Sequence, residues 1–194
     1  METVKALAEK EHGTGIKLAD CNDKSAVCEC CITEKLARKA FPTSTTRAAE
    51  KLDLIHTDVC GPMPTATPSG NKYVMTLVDD CSRYTVVTLL KKKSEVFQRI
   101  QDFVRLCETK YQRKPKMFRS DNGGEYIGND VKVFLRREGI QWQLTAPYTP
   151  QQNGIAERRN PSLTEMARCK LTDAKLHNRY WGEAVLTATY LLNR

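Results

Sequence analysis

Residues 94–121, SEVFQRIQDFVRLCETKYQRKPKMFRSD, change character part-way along. In the first part, Val96, Phe97, Ile100, Phe103, Val104 and Cys107 recur at one-, three- and four-residue steps, with Ser94 placed to cap the start. That spacing predicts an amphipathic helix. The last part, KPKMFRSD, reads as a short strand ending at Asp121. Upstream lie three β-rich runs. LDLIHTDVCGP starts at Leu52 and stops at Gly61-Pro62, and KYVMTLVDD and RYTVVTLL are joined by a hairpin signal, DDCS. Downstream, NDVKVFLRREG reads as a helix closing at Gly139, IQWQLTA as a strand and WGEAVLTATYLLNR as a final apolar helix. A further helix opens within TPQQNGIAERRNPSL, so the order is β-β-β-α-β-α-β-α-α. Hairpin strands followed by βαβ alternation predict a five-stranded mixed sheet with helices on its faces. On the first strand Leu52, Leu54, His56 and Asp58 are expected to share a face.

Three regions separate along the 194 residues: a charged segment 1–40, a polar linker 41–51 and the periodic part 52–194. Lys and Arg outnumber Asp and Glu by 31 to 23, giving a net charge of +8. Such a balance favours an anionic partner, nucleic acid being the commonest, and leaves a merely basic protein open. The first residues, METVKALAEKEHG, are charged and helix-forming and do not read as a secretory signal. No apolar run is long enough to span a bilayer, and no membrane partner is expected. Four of the eight cysteines, Cys21, Cys28, Cys30 and Cys31, cluster in the first segment. In a reducing compartment that cluster reads as metal-binding, or as the remnant of a metal site, rather than as a disulfide framework.

Three carboxylates occupy special places: Asp58 near the end of the first strand, Asp121 before NGGEY, and Glu157 on the helix after the fifth strand. Strand ends beside a glycine-rich turn often carry chemistry, and Gly123 and Gly124 would let a ligand approach the backbone. Converging carboxylates repel one another unless a cation neutralises them, and hard oxygen ligands select Mg²⁺ or Mn²⁺. Two such ions about 3.5–4 Å apart can activate an attacking oxygen and stabilise a leaving one at phosphorus. Each acid taken alone also fits an ordinary turn or solvated helix position.

At these residues the chain resembles the integrase of copia-type LTR retrotransposons, within the retroviral integrase superfamily. The stretches that carry the resemblance are LDLIHTDVCGPM, LVDDCSRYTVVTLLKKKSE, RSDNGGEY, LTAPYTPQQNGIAERRN and WGEAVLTATYLLNR. The separation of Asp121 from Glu157 is that family's acid spacing. The resemblance implies an RNase H-like catalytic core over 52–194, with Asp58, Asp121 and Glu157 as its metal-binding catalytic triad. It implies 3′-end processing of element DNA and strand transfer into target DNA by a multimer, supported by Mg²⁺ or Mn²⁺ in a two-metal site. Reaching chromosomal DNA implies the nucleus. Asn122, Gly123, Gly124 and Tyr126 would shape the loop beside the acids, and Asn122, Gln152, Asn153, Arg158 and Arg159 would contact DNA. Asp79 and Asp80 are expected to bond the hairpin backbone, Ser82, Arg83 and Tyr84 to be structural, and His56 to be a packed strand residue.

Two departures bear on activity. The family's N-terminal zinc module places paired histidines before a Cys-x-x-Cys. Here Cys28 and Cys31 match the cysteine pair, and the only nearby histidine is His12. A structural zinc site needs four ligands, so Cys21 or Cys30 with His12 would have to stand in. The chain is therefore expected to begin inside that module, as a partial Zn²⁺ site, and to stop at Arg194 within a continuing helix. The second departure is Pro161, where the family has a basic residue. A helix that starts near Asn153 has Pro161 in its interior, unable to donate to the carbonyl of Glu157. Either a kinked helix continues through it, the preferred reading, or a new helix restarts with Asn160 as N-cap and Pro161 at its first position. The alternative to an active integrase is thus a catalytically impaired, nucleic-acid-binding remnant.

Overall fold

The three β-rich runs become an antiparallel meander. β1 (Ile55–Cys60) pairs with β2 (Tyr73–Asp79), and β2 pairs with β3 (Thr85–Leu90). The structure, a computed structural model, describes residues 47–145 and 154–194, which lie within one unit, Thr43–Arg194. After the meander come α1 (Val96–Tyr111), β4 (Met117–Ser120), a short α2 (Gly124–Ile127), α3 (Asn129–Arg137) and β5 (Gln141–Leu144). Then α4 (Gly154–Asp173) and α5 (Trp181–Leu192) follow. β4 and β5 add to the other side of β1 in parallel, giving the order β3-β2-β1-β4-β5. A parallel neighbour needs a crossover, and α1 and the α2–α3 pair provide the two crossovers. The expected mixed five-stranded sheet with flanking helices is therefore present.

Alternation along the strands sends side chains to two cores. One joins Ile55, Met75, Leu77 and Phe118 to Ile100 and Val104 of α1 and to Val131, Phe134 and Leu135 of α3. The other joins Val74 to Ala167 and Leu171 of α4 and to Ala184 and Val185 of α5. The buried positions of α1 are Val96, Ile100, Val104 and Cys107, as its spacing requires, with Phe97 and Phe103 packed beside them.

Two local expectations change. β1 begins at Ile55, so Leu52 is not a strand residue. It sits in a turn at φ 66°, where its N–H donates to Asp79 Oδ1 at 2.8 Å. Ser94 is not a helix cap, because the chain first tightens into a 3₁₀ turn, Lys93–Glu95, and α1 starts after Glu95 without a side-chain cap.

Polar side chains close the ends of the elements. Asn193, just past α5, accepts from the Thr85 N–H at 2.8 Å and donates to the Thr85 carbonyl at 2.7 Å, occupying the open side of edge strand β3. In the hairpin, Asp79 Oδ2 accepts from the Ser82 N–H at 2.7 Å and from its hydroxyl at 2.6 Å, as its turn position predicts. His56 is buried, with Nε2 3.0 Å from Asp80 Oδ1, while Asp80 Oδ2 accepts from the Ala48 N–H at 2.6 Å. Burial pushes the Asp80 carboxyl up, but Ala48, His56 and Arg83 together bring it below the usual carboxylate range. Among the described residues no helix is long and apolar enough to cross a membrane.

Candidate active site

Asp58 and Asp121 meet because of strand register. The parallel pairing sets Ile55 beside Phe118 and His56 beside Arg119, and the same offset carries position 58 to position 121. Asp58 lies on β1, while Asp121 follows the last residue of β4. The carboxyl ends of parallel strands are where α/β sheets present ligand sites. Glu157 comes from the first turn of α4, whose buried Ala156 and Asn160 seat that turn on the sheet.

Asp121 acts electrostatically on both Asp58 and Glu157, and Asp58 acts on Glu157. Burial, then Asp121, pushes the Asp58 carboxyl above its ordinary value, and Glu125 adds to the shift. Hydrogen bonds from Val59 and Asn160 act in the opposite direction. Burial, then Asp58 and Asp121, raises Glu157, while Arg158 partly offsets this. Among the described residues, no lysine or arginine forms an ion pair with Asp58, Asp121 or Glu157. An all-carboxylate set with this excess of negative charge fits a hard divalent cation by its chemistry. Among the described residues, however, no three His, Cys, Asp or Glu side chains are drawn together closely enough to form a finished cage.

Each strand carboxylate is oriented by its neighbours. Asp58 Oδ1 accepts from the Val59 N–H at 2.9 Å, and Asp58 Oδ2 accepts from Asn160 Nδ2 at 2.7 Å. The other end of the Asn160 amide, Oδ1, accepts from the Thr76 hydroxyl, and Thr76 is the β2 residue directly across from Asp58. Asn160 thus ties α4 to β1 and β2 at the acid itself. Sequence reasoning weighed it only as a cap beside Pro161. The missed signal was its place three residues after Glu157, on the same helix face.

Asp121 Oδ1 accepts from the Gly123 N–H at 3.1 Å. A Cβ at Gly123 would stand 3.0 Å from Asp121 Oδ1 and 3.0 Å from Glu125 Oε2, so a side chain there would push against two carboxylates of its own chain. Gly124 faces open space, the arrangement expected of both. Tyr126 is buried beneath the loop, its hydroxyl 3.0 Å from Thr57 Oγ1, and burial pushes its phenol well above the ordinary value. Glu125, also unforeseen, forms a 2.9 Å ion pair with Lys93.

The expected DNA-contacting residues divide. Asn122 is exposed, with its amide donating to the Thr145 carbonyl at 3.0 Å. Arg158 is exposed beside Glu157, its guanidinium packed along Gly154. Arg159 points elsewhere: it donates to the Arg83 carbonyl at 3.3 Å and lines a separate cleft with Leu52, Tyr84 and Asn193. Gln152 and Asn153 lie outside the described residues, as do Cys28 and Cys31 with the whole zinc expectation. α4 runs unbroken through Pro161, so Asn160 is an interior helix residue rather than the cap of a second helix.

This sheet order, with acids at neighbouring parallel strand ends and on the following helix, has the layout of the RNase H-like fold. Residues 48–150 match the integrase core domain, and the chain belongs to that family. It is 47% identical over 167 residues to the retrovirus-related Pol polyprotein from transposon TNT 1-94 of Nicotiana tabacum, covering 86% of this chain and 13% of the relative. It is 32% identical to the corresponding polyprotein of transposon RE1 of Arabidopsis thaliana, covering 86% of this chain and 11% of the relative. The chain therefore spans only about an eighth of the length of these relatives. Among solved structures, a simian T-cell lymphotropic virus intasome in complex with a PP2A regulatory subunit matches with a TM-score of 0.63 at 17% identity. That match covers 84% of this chain and 56% of the other. The HTLV-2 integrase catalytic core domain in complex with magnesium, in its dimeric form, matches with a TM-score of 0.58 at 19% identity, covering 76% and 90%. These two likenesses support the fold.

Proposed function

We propose that the cluster of Asp58, Asp121 and Glu157 performs divalent-metal-dependent phosphoryl transfer on DNA, in the 3′-end processing and strand transfer of retrotransposon DNA. The observation that carries this reading is that burial and neighbouring carboxylates raise both Asp58 and Glu157, Asp121 acting on each, without an ion-paired cation, in a chain of the integrase core family. Asp58, Asp121 and Glu157 would hold Mg²⁺ or Mn²⁺. The chemistry a two-ion set supplies when bound is charge neutralisation at phosphorus and activation of the attacking oxygen. The protein's own part is orientation. Val59 and Asn160 fix the two oxygens of Asp58, the Gly123 N–H fixes one oxygen of Asp121, and Glu157, in the first turn of α4, would supply the third carboxylate. Water attacks in end processing and a DNA 3′-hydroxyl attacks in strand transfer, each in line with the leaving oxygen. Integrase neighbours described as an intasome and as a dimeric form support a homo-oligomer; it would hold element ends and target DNA, and the need to reach chromosomal DNA would place it in the nucleus.

One observation favours a second reading, a DNA-binding remnant with impaired catalysis. Pro161, inside α4, leaves the Glu157 carbonyl without its helical N–H donor. Strand joining on a branched DNA substrate in Mn²⁺ separates the readings. The chain as it stands should join strands, and Glu157→Gln should abolish the reaction. Activity appearing only in Pro161→Arg would mean that the proline disables an otherwise sound site. Silence in all three would favour the remnant.

A further inference from the structure

Between β3 and α1 the chain presents three successive lysines, Lys91, Lys92 and Lys93. The third is unlike the other two. Its ammonium is 2.9 Å from Glu125 Oε1, with its own side chain 43% exposed and that of Glu125 only 7% exposed. Glu125 therefore acts as a fixed post and Lys93 as the solvent-facing partner. The pair stands at the acid cluster. Glu125 Oε2 and Asp121 Oδ1 flank the same point beside Gly123, and Glu125 raises the Asp58 carboxyl. Glu125, and then Asp121, push the Lys93 ammonium above its ordinary value, against the effect of burial. Arg158, next to Glu157 on α4, partly offsets the raising of that carboxyl. Two cations thus act on the acids, one from the β3–α1 turn and one from α4.

We infer that Lys93, held in place by Glu125, contacts a backbone phosphate of the DNA strand that enters the acid cluster. The inference rests on the DNA-processing reading above. A strand whose reacting phosphate lies over Asp58 and Asp121 carries its neighbouring phosphates toward both ends of the cluster. An ammonium has three N–H donors, of which Glu125 uses one, and it binds phosphate as a compact point charge. Glu125 is here a positioning residue. It keeps the ammonium at the rim, where the carboxylates alone would repel the incoming strand.

The test is the salt dependence of DNA binding, measured by fluorescence anisotropy on a duplex with a recessed end, in Ca²⁺ to suppress turnover. Five forms of the full chain are compared: unaltered, Lys93→Gln, Lys93→Arg, Glu125→Gln and the charge-matched control Lys92→Gln. Neutralising one fewer phosphate lowers the slope of log K against log salt by about 0.9. Lys93→Gln should show that decrease. Lys93→Arg should retain the slope, and Lys92→Gln should change it clearly less. Glu125→Gln should weaken end binding at low salt, with Lys93 present but no longer held. A merely structural ion pair would alter thermal stability and leave the slope unchanged. An unaltered slope in Lys93→Gln, or an equal decrease in Lys92→Gln, overturns the inference while the DNA reading stands. Absence of DNA binding by the unaltered chain overturns both.

Discussion

Asn160 is the residue on which the site's geometry turns. Its amide satisfies Asp58 at one end and Thr76 at the other, so helix and sheet are joined by one side chain in its only useful orientation. A partner that orients a ligand is typically worth about 10- to 100-fold in metal affinity or activity. Asn160→Ala should lower Mn²⁺-dependent strand joining by about that factor, and a chemical denaturation curve should show a loss of about 1–3 kcal/mol. The acids make the opposite trade. Asp58 and Glu157 have raised carboxyl values, so between the ordinary carboxylate range and those values the folded chain holds protons that the unfolded chain has released. Their contribution to stability therefore falls as pH rises through that window and returns on acidification. Glu157→Gln should be more stable than the parent at neutral pH without metal, by a modest margin because the half-buried carboxyl is screened by solvent. That difference should shrink on acidification toward about pH 4. The residues legible in the sequence were the acids, whose positions at strand ends and on a helix are local facts. Asn160 and Glu125 were not legible, because their importance depends on contacts with Asp58, Thr76 and Lys93 that are distant in sequence.

At the level of elements, α4 contains a conflict between local preference and tertiary need. A proline in a helix interior costs about 3 kcal/mol relative to alanine. Even so, the helix is continuous, because Ala156, Asn160, Leu163, Ala167 and Leu171 all bury on one side, while Pro161 is exposed. Tertiary packing holds what propensity would break. Pro161→Ala should raise the denaturation midpoint, by up to about 3 kcal/mol in stability, without disturbing the buried face. The turn after β1 carries the reverse constraint. Gly61 has φ 130°, and a Cβ there would stand 2.7 Å from the Lys72 carbonyl oxygen. Gly61→Ala should cost at least about 1–3 kcal/mol in the same assay. Periodicity made the helices and the meander legible. It misplaced Leu52 and Ser94, each at an element boundary where a turn bonded by other elements overrides the pattern: Leu52 by Asp79, and the Ser94 turn beside the Lys93–Glu125 pair.

For the whole molecule, the sheet is a device for alignment. Antiparallel pairing on one side of β1 brings Thr76 beside Asp58, and parallel pairing on the other sets Asp121 at the same height. The second core joins α4 and α5 to the sheet, and the first turn of α4 carries Glu157. The order of β and α segments already implied this sheet. The relative height of the strands was not legible, because register is set by side-chain pairing across strands rather than by either strand alone. If acids contributed by three separate elements form a single cation site, each of them must matter to the binding of one ion. A calorimetric Mn²⁺ titration of the unaltered chain, Asp58→Asn, Asp121→Asn and Glu157→Gln tests this most directly. The predicted result is saturable binding that each single substitution weakens at least tenfold. Binding that survives Glu157→Gln unchanged, or no saturable binding by the unaltered chain, would contradict it.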